Sequence, residues 1–194
     1  MLGMALIINF YAGTYATVNA SNRVNDFILN RVGPYDVDMF FYQGSVIFWT
    51  FIVLFLIYRP KHIPFVAKSV SLFIIIRSFF IVLTHLGAPH EITPSIGFIV
   101  SKFTFGGDLF FSGHTGIPFL YALMFWHHKS MRYIFLVMAV TFGSLALLGH
   151  KHYSIDVFAA FFITYSIFKI SCQLFPDDYT LSKEDISEHE ESLA

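Results

Sequence analysis

Polar positions are sparse along this chain and gather at intervals, leaving six apolar runs between them. Residues 39–58 carry no charge and stop at Arg59-Pro60, and residues 109–126 and 133–148 are also uncharged. Residues 63–86 include two charges, Lys68 and Arg77, and residues 157–175 one, Lys169, near the end. Residues 2–18 are interrupted only by Asn9, Thr14 and Thr17. A helix needs about 20 apolar residues to cross the hydrocarbon core. The pattern therefore predicts an all-α protein, a six-span transmembrane helical bundle. Residues 96–105 are too short to cross and read as a surface or re-entrant segment. No internal repeat is evident, which gives no support to a transporter built from repeated halves.

Composition agrees. Of 194 residues, 56% are hydrophobic, 19% aromatic and 13% charged, whereas soluble domains carry about 25% charged residues. The net charge of −1 hides an asymmetry: residues 1–175 hold 11 basic against 6 acidic groups, and the rest of the chain carries −6. Residues 1–175 are thus expected to form the membrane domain, and residues 176–194 an acidic, disordered cytoplasmic tail. The single cysteine, Cys172, excludes an intramolecular disulfide and sits in an apolar stretch as an inert thiol. The basic residues form no stripe, so no nucleic-acid partner is expected. The uncharged N-terminus lacks a basic n-region and reads as a retained span, not a cleaved signal.

Loop charges orient the spans. Arg59, Lys61 and Lys68 flank the second connection, and Lys129 and Arg132 lie in the fourth. The positive-inside rule makes both cytoplasmic. Both termini then lie in the cytoplasm, and the loops over residues 19–38 and 87–108 face the exoplasmic side.

Candidate chemistry collects at that exoplasmic face. Span four is entered through GGDLFFSGHT, residues 106–115, and span six through GHKHYSID, residues 149–156. His152 and Asp156 stand at i and i+4, one helical face. A carboxylate there can accept a ring N–H, fix the tautomer and support an imidazolium, which suits a histidine nucleophile. His114 follows Ser112-Gly113 at a helix start, where unpaired backbone N–H groups favour an anion such as phosphate. Gly113 allows close backbone approach. Pro118 either withholds an N–H from the His114 carbonyl or marks the first helical turn. Taken singly, the Ser-Gly-His-Thr run and Asp156 also read as ordinary helix caps. Together with Asp108 they are harder to explain as packing, because ionisable groups in membranes are costly.

These residues resemble the sphingomyelin synthase family, whose pattern is G-D-x-x-F-S-G-H-T followed by H-Y-T-x-D-V and an aromatic-rich span. Residues 77–89, RSFFIVLTHLGAP, are similar to that family's upstream motif. The family belongs with the lipid phosphate phosphatases of the type-2 phosphatidic acid phosphatase superfamily. The resemblance implies a metal-independent, cofactor-free exchange of phosphate esters between a phospholipid donor and a lipid hydroxyl acceptor. It assigns His114, His152 and Asp156 as the catalytic triad, with His152 forming a phosphohistidine and His114 moving the proton. Arg77, Asp108, Ser112, Gly113 and Tyr153 are the expected phosphate-binding set. The chain departs from the phosphatases at two places, where Ile52 and Ala146 stand instead of a lysine and an arginine. That departure favours the synthase-like branch and leaves Arg77 as the remaining cation.

Three alternatives stand beside this reading. A lipid phosphate phosphatase would use the same triad on water. A proton-coupled transporter would use His114, His152, Asp156 and Arg77 as a relay, but spans two, four and five are almost free of polar residues at mid-depth. A zinc site from His114, His150, His152 and Asp156 has suitable ligand types, on weak His-x-His spacing. His85, His127 and His128 are assigned lesser roles, in tuning the site and in the cytoplasmic loop.

Overall fold

The computed structural model describes residues 1–89 and 109–183. The expected segment at 96–105 and the tail from Glu184 onward lie outside the described residues. Among the described residues, six α-helices of twelve or more residues follow in order: α1 Leu2–Val18, α2 Asp38–Tyr58, α3 Ile63–Leu83, α4 Gly113–Met124, α5 Lys129–Leu148 and α6 Ser154–Leu174. A 3-10 turn, Pro60–His62, links α2 to α3, and no strand occurs among the described residues.

Local sequence explains the ends. Asp38 sits in the first turn of α2, where the helix dipole favours an acid. Pro60 keeps Arg59 out of the helical region (φ −124°, ψ 69°) and stops α2. Proline stands in the first turn of α3, where its missing N–H costs nothing.

Among the described residues, four helical stretches are long and apolar enough to cross a membrane: Asp38–Tyr58, Pro60–Leu83, Lys129–Leu148 and Ser154–Leu174. Helix α1, with 17 residues, is shorter. The fourth expected span differs most from its prediction. Helix α4 has 12 residues, about 18 Å at 1.5 Å per residue, against a hydrocarbon core of about 30 Å. Ser112 is extended (φ −66°, ψ 120°) and caps the helix at one end, while Phe125 leaves helical geometry at the other. Pro118 lies inside α4 and not in its first turn, so the His114 carbonyl lacks the N–H that residue 118 would supply.

Chain direction alternates in the bundle. Helix α1 runs parallel to α3, since Ser78 donates to Asn9 (3.4 Å), Tyr15 packs on His85 and the Ser21 N–H reaches the His85 carbonyl (2.8 Å). Helix α4 packs against α5 and α6 and is the most enclosed of the helices, with eight buried residues in its 12. Small residues permit this. A Cβ on Gly116 would meet Phe73 at 2.7 Å and Thr164 Oγ1 at 2.8 Å, and one on Gly143 would meet Val157 at 3.0 Å. Outward faces are apolar: on α2, Phe40, Val46, Ile47 and Leu54 are exposed, whereas only Phe41, Phe48 and Ile52 are buried. Such a surface has no stable place in water and suits lipid, so this is an all-helical, multi-pass membrane protein.

The tail begins ordered. Residues 176–183 are helical, with Tyr179 against Phe65 and Phe168, Lys68 paired with Asp178, and His62 bonded to Ser182 at 2.6 Å. The disorder expected from residue 176 therefore does not hold over these eight residues. Their aromatic and ionic contacts, invisible to a charge count, bind them to the foot of α3.

Candidate active site

One end of the bundle brings together the N-termini of α2, α4 and α6 and the C-terminal ends of α3 and α5. The turn from α5 to α6 sets the central residues. His150 takes a left-handed conformation (φ 50°), while the Lys151 N–H bonds to the Ala146 carbonyl (2.9 Å) and the His150 N–H to that of Leu147 (3.1 Å). This pair of bonds is a Schellman closure, with histidine where glycine is usual. Left-handed backbone costs about 1–2 kcal/mol without glycine. The His150 ring is anchored by the Val32 carbonyl, 2.7 Å from Nε2.

The closure delivers His152 to the start of α6. Helix α6 begins only at Ser154, so His152 and Asp156 do not share a helical face as their spacing suggested. Instead Asp156 reaches back across the cap. Its Oδ2 accepts the Tyr153 N–H at 3.1 Å and lies 3.3 Å from His152 Nδ1. Both side chains are buried, at 6% exposure for His152 and 1% for Asp156. The proton on Nδ1 then belongs to the carboxylate contact, leaving Nε2 as the basic nitrogen.

Helix α4 is stapled to the same place. The Ser112 N–H donates to the Asp156 carbonyl (2.9 Å), and Ser112 Oγ accepts the Thr115 N–H (3.4 Å). Arg77, buried in α3, donates from Nε to the Phe111 carbonyl (3.1 Å), and a Cβ on Gly113 would lie 3.6 Å from that Nε. Its cation thus stands against the first turn of α4. His114 is exposed, and its ring packs on Phe41 at 4.3 Å between centroids. His152, Arg77 and Lys151 all lie within electrostatic reach of it.

Of the expected set, the structure brings His114, His152, Asp156, Arg77, Ser112 and Gly113 to one end. Tyr153 is present but differently employed: its buried hydroxyl donates to the Gly87 carbonyl (2.7 Å) and accepts the Val24 N–H (3.1 Å). It anchors two loops, and its one proton is committed there instead of to phosphate. Asp108 lies outside the described residues. Among the described residues, no group of three His, Cys, Asp or Glu side chains is arranged to hold a metal ion.

Two carboxylates escaped the sequence reading. Asp26, 7% exposed, accepts the N–H groups of Ile28 (2.8 Å), Leu29 (3.0 Å) and Ser154 (2.7 Å) and the Ser154 hydroxyl (2.8 Å). Burial raises its pKa, but these donors outweigh burial and hold it below the ordinary carboxylate value. Asp38 pairs with Lys151 at 2.7 Å. Neither stands in a motif that marks the site. Asp26 is flagged in sequence by nothing more than its lead of two and three residues over a turn.

Residues 106–173 match the family model described as PAP2 superfamily C-terminal. The matched stretch takes in α4, α5, nearly all of α6 and each of His114, His152 and Asp156. No curated protein and no solved structure matches the chain. Members of this superfamily are generally phosphatases or phosphotransferases, and the match supports an enzyme of that general kind acting on lipids.

Proposed function

We propose that the protein is an integral-membrane lipid phosphotransferase of the sphingomyelin synthase type, working through a phosphohistidine. The observation that carries this reading is the 3.3 Å contact of His152 Nδ1 with Asp156, beside the α4 N-terminus that bears His114. In the first half-reaction His152 Nε2 attacks the donor's phosphorus. The bond from phosphorus to the leaving oxygen breaks, and that oxygen takes a proton from His114. In the second, the acceptor lipid's hydroxyl gives its proton to His114 while its oxygen attacks phosphorus and the P–N bond breaks. Asp156 stabilises the positive charge on His152 throughout, and Arg77 with the α4 N-terminus meets charge on the phosphoryl oxygens.

Two features support transfer between lipids over hydrolysis of a terminal phosphate. Ile52 and Ala146, standing where the phosphatases carry cations, are buried at 2% and 0% in the core. A diester also needs fewer cations than a phosphate monoester. The competing reading is a phosphatase with the same triad, in which water takes the place of the acceptor hydroxyl.

The alternating helix directions favour six passages with both ends of the chain on one side, α4 completing its passage through the non-helical residues around it. Arg59, Lys61, Lys129 and Arg132 lie at the end opposite the site, so the positive-inside rule puts that end in the cytoplasm and the site at the exoplasmic face. Competition tests the reading. Purified protein is given a fixed phospholipid donor and increasing lipid-hydroxyl acceptor, and products are separated by thin-layer chromatography. A new phospholipid that grows as water-soluble phosphate ester declines is the expected result. No new phospholipid and undiminished release would make the protein a hydrolase.

A further inference from the structure

We infer that Lys151 is a phosphate-binding cation of this site, held ready by Asp38. The inference rests on the phosphotransfer reading and adds to it a residue that the sequence motifs do not assign. Phosphoryl transfer places charge on non-bridging oxygens, and preorganised cations are its main protein-side stabiliser. Arg77 alone is poorly placed to do all of this, since its Nε is given to the Phe111 carbonyl.

Lys151 directly precedes His152 and is aimed by the same Schellman closure. Its ammonium lies 2.7 Å from Asp38 Oδ1, 3.5 Å from the Tyr42 hydroxyl, 4.9 Å from the Tyr42 ring centre and 5.3 Å from that of Phe41. The Phe41 ring in turn packs 4.3 Å from the His114 ring. One aromatic ring therefore bridges the lysine and the proton-carrying histidine, and Lys151 acts on His114 electrostatically.

The pair is also easily exchanged. Its side chains are 20% and 32% exposed, and a partly solvated pair holds weakly enough for its ammonium to turn to another anion. A bound phosphodiester equals one carboxylate in charge, and as His152 attacks, further negative charge builds on its two non-bridging oxygens, which then outcompete Asp38 for the ammonium. Lysine suits such a transfer, because it is a point charge on a flexible four-carbon stem. Asp38 is then a positioning residue: it keeps the ammonium beside the site and competes with substrate for it.

The test uses the full chain in lipid nanodiscs and orthovanadate as the phosphate-shaped probe. Equilibrium binding and donor KM and kcat are measured for wild type, Lys151→Met, Lys151→Arg and Asp38→Asn. Losing a charge-assisted contact should weaken orthovanadate binding about tenfold or more in Lys151→Met and raise KM. Lys151→Arg should retain most of the affinity, and Asp38→Asn should bind as tightly as wild type or tighter. A merely structural tie between α2 and the α5–α6 turn predicts the opposite for Asp38→Asn. Equal weakening by Lys151→Met and Asp38→Asn, or no change in Lys151→Met, would overturn the inference. Should Lys151→Met fail to fold, Asp38→Asn decides alone: weaker binding refutes the role. His152→Ala separates the two claims. If it keeps turnover, the phosphotransfer reading itself fails; if it is inactive while Lys151→Met binds like wild type, only the lysine's role fails.

Discussion

Asp156 offers a perturbation whose size follows from one atom. Both of its side-chain contacts, with His152 Nδ1 and the Tyr153 N–H, are made by Oδ2. An asparagine with its carbonyl oxygen in that position keeps both contacts and loses only the charge. The Tyr153 N–H, a donor, holds the amide in that orientation, so Asp156→Asn retains the Nδ1–H tautomer of His152. In serine-protease triads the corresponding change costs about 10⁴ because the tautomer is wrong. Here that part of the loss is avoided, and the fall in turnover should be about 10²–10³, from the missing support of the charged imidazole. Asp156→Ala removes the acceptor altogether and should cost about 10⁴ or more.

Stability should separate the same two variants. Two charge-assisted hydrogen bonds weakened to neutral ones lose about 1–2 kcal/mol in total. Two buried donors left unpaired lose about 4 kcal/mol at about 2 each. The corresponding falls in Tm are about 4 °C and about 10 °C. Turnover of a fluorescent donor lipid and a thermal melt in the same detergent measure both quantities. Equal loss of activity in the two variants, or activity near wild type in either, would refute the role given to this carboxylate.

Other expectations concern what surrounds the dyad. Because the folded pKa of Asp26 lies below its unfolded value near 3.9, its stabilisation is complete above that value and is lost as pH falls through the lower folded pKa. Asp26→Asn should lower Tm at pH 7 and flatten the loss of Tm on acidification below about pH 4; an unchanged acid profile would contradict this. Gly116→Ala places a methyl 2.7 Å from Phe73 and 2.8 Å from Thr164, overpacking that should cost about 1–3 kcal/mol, and a melt as high as wild type would show that α4 is free to shift. In a Cys172→Ala background, an impermeant maleimide should label Asp36→Cys from outside and Ser130→Cys only after permeabilisation. The reverse pattern would move the site to the cytoplasmic face.

The helices were legible because hydrophobic run length is a one-dimensional signal; charge and proline punctuation set α2 and α3 well. Residues 109–126 misled, since apolar character alone does not show that Ser112 caps a helix beginning at Gly113. Proximity was legible where spacing is local, as for His152 and Asp156, though their contact runs across a helix cap and not along a helix. Asp26 and Ser154 meet over 128 positions, and Lys151 and Asp38 come from the α5–α6 turn and from α2. No periodicity encodes such pairings. Tyr153 shows the converse: it is part of a motif, yet its hydroxyl is taken by Gly87 and Val24, which only the folded loops supply.

The central claim is a covalent phosphorus–nitrogen bond on His152, and trapping it is the most direct test. The protein would be mixed briefly with donor phospholipid carrying radioactive phosphorus, quenched in alkali and digested. The account predicts an acid-labile, base-stable label on the peptide containing His152, absent from His152→Ala and discharged when acceptor lipid is added before the quench. Turnover without any such label, or a label that persists in His152→Ala, would contradict it.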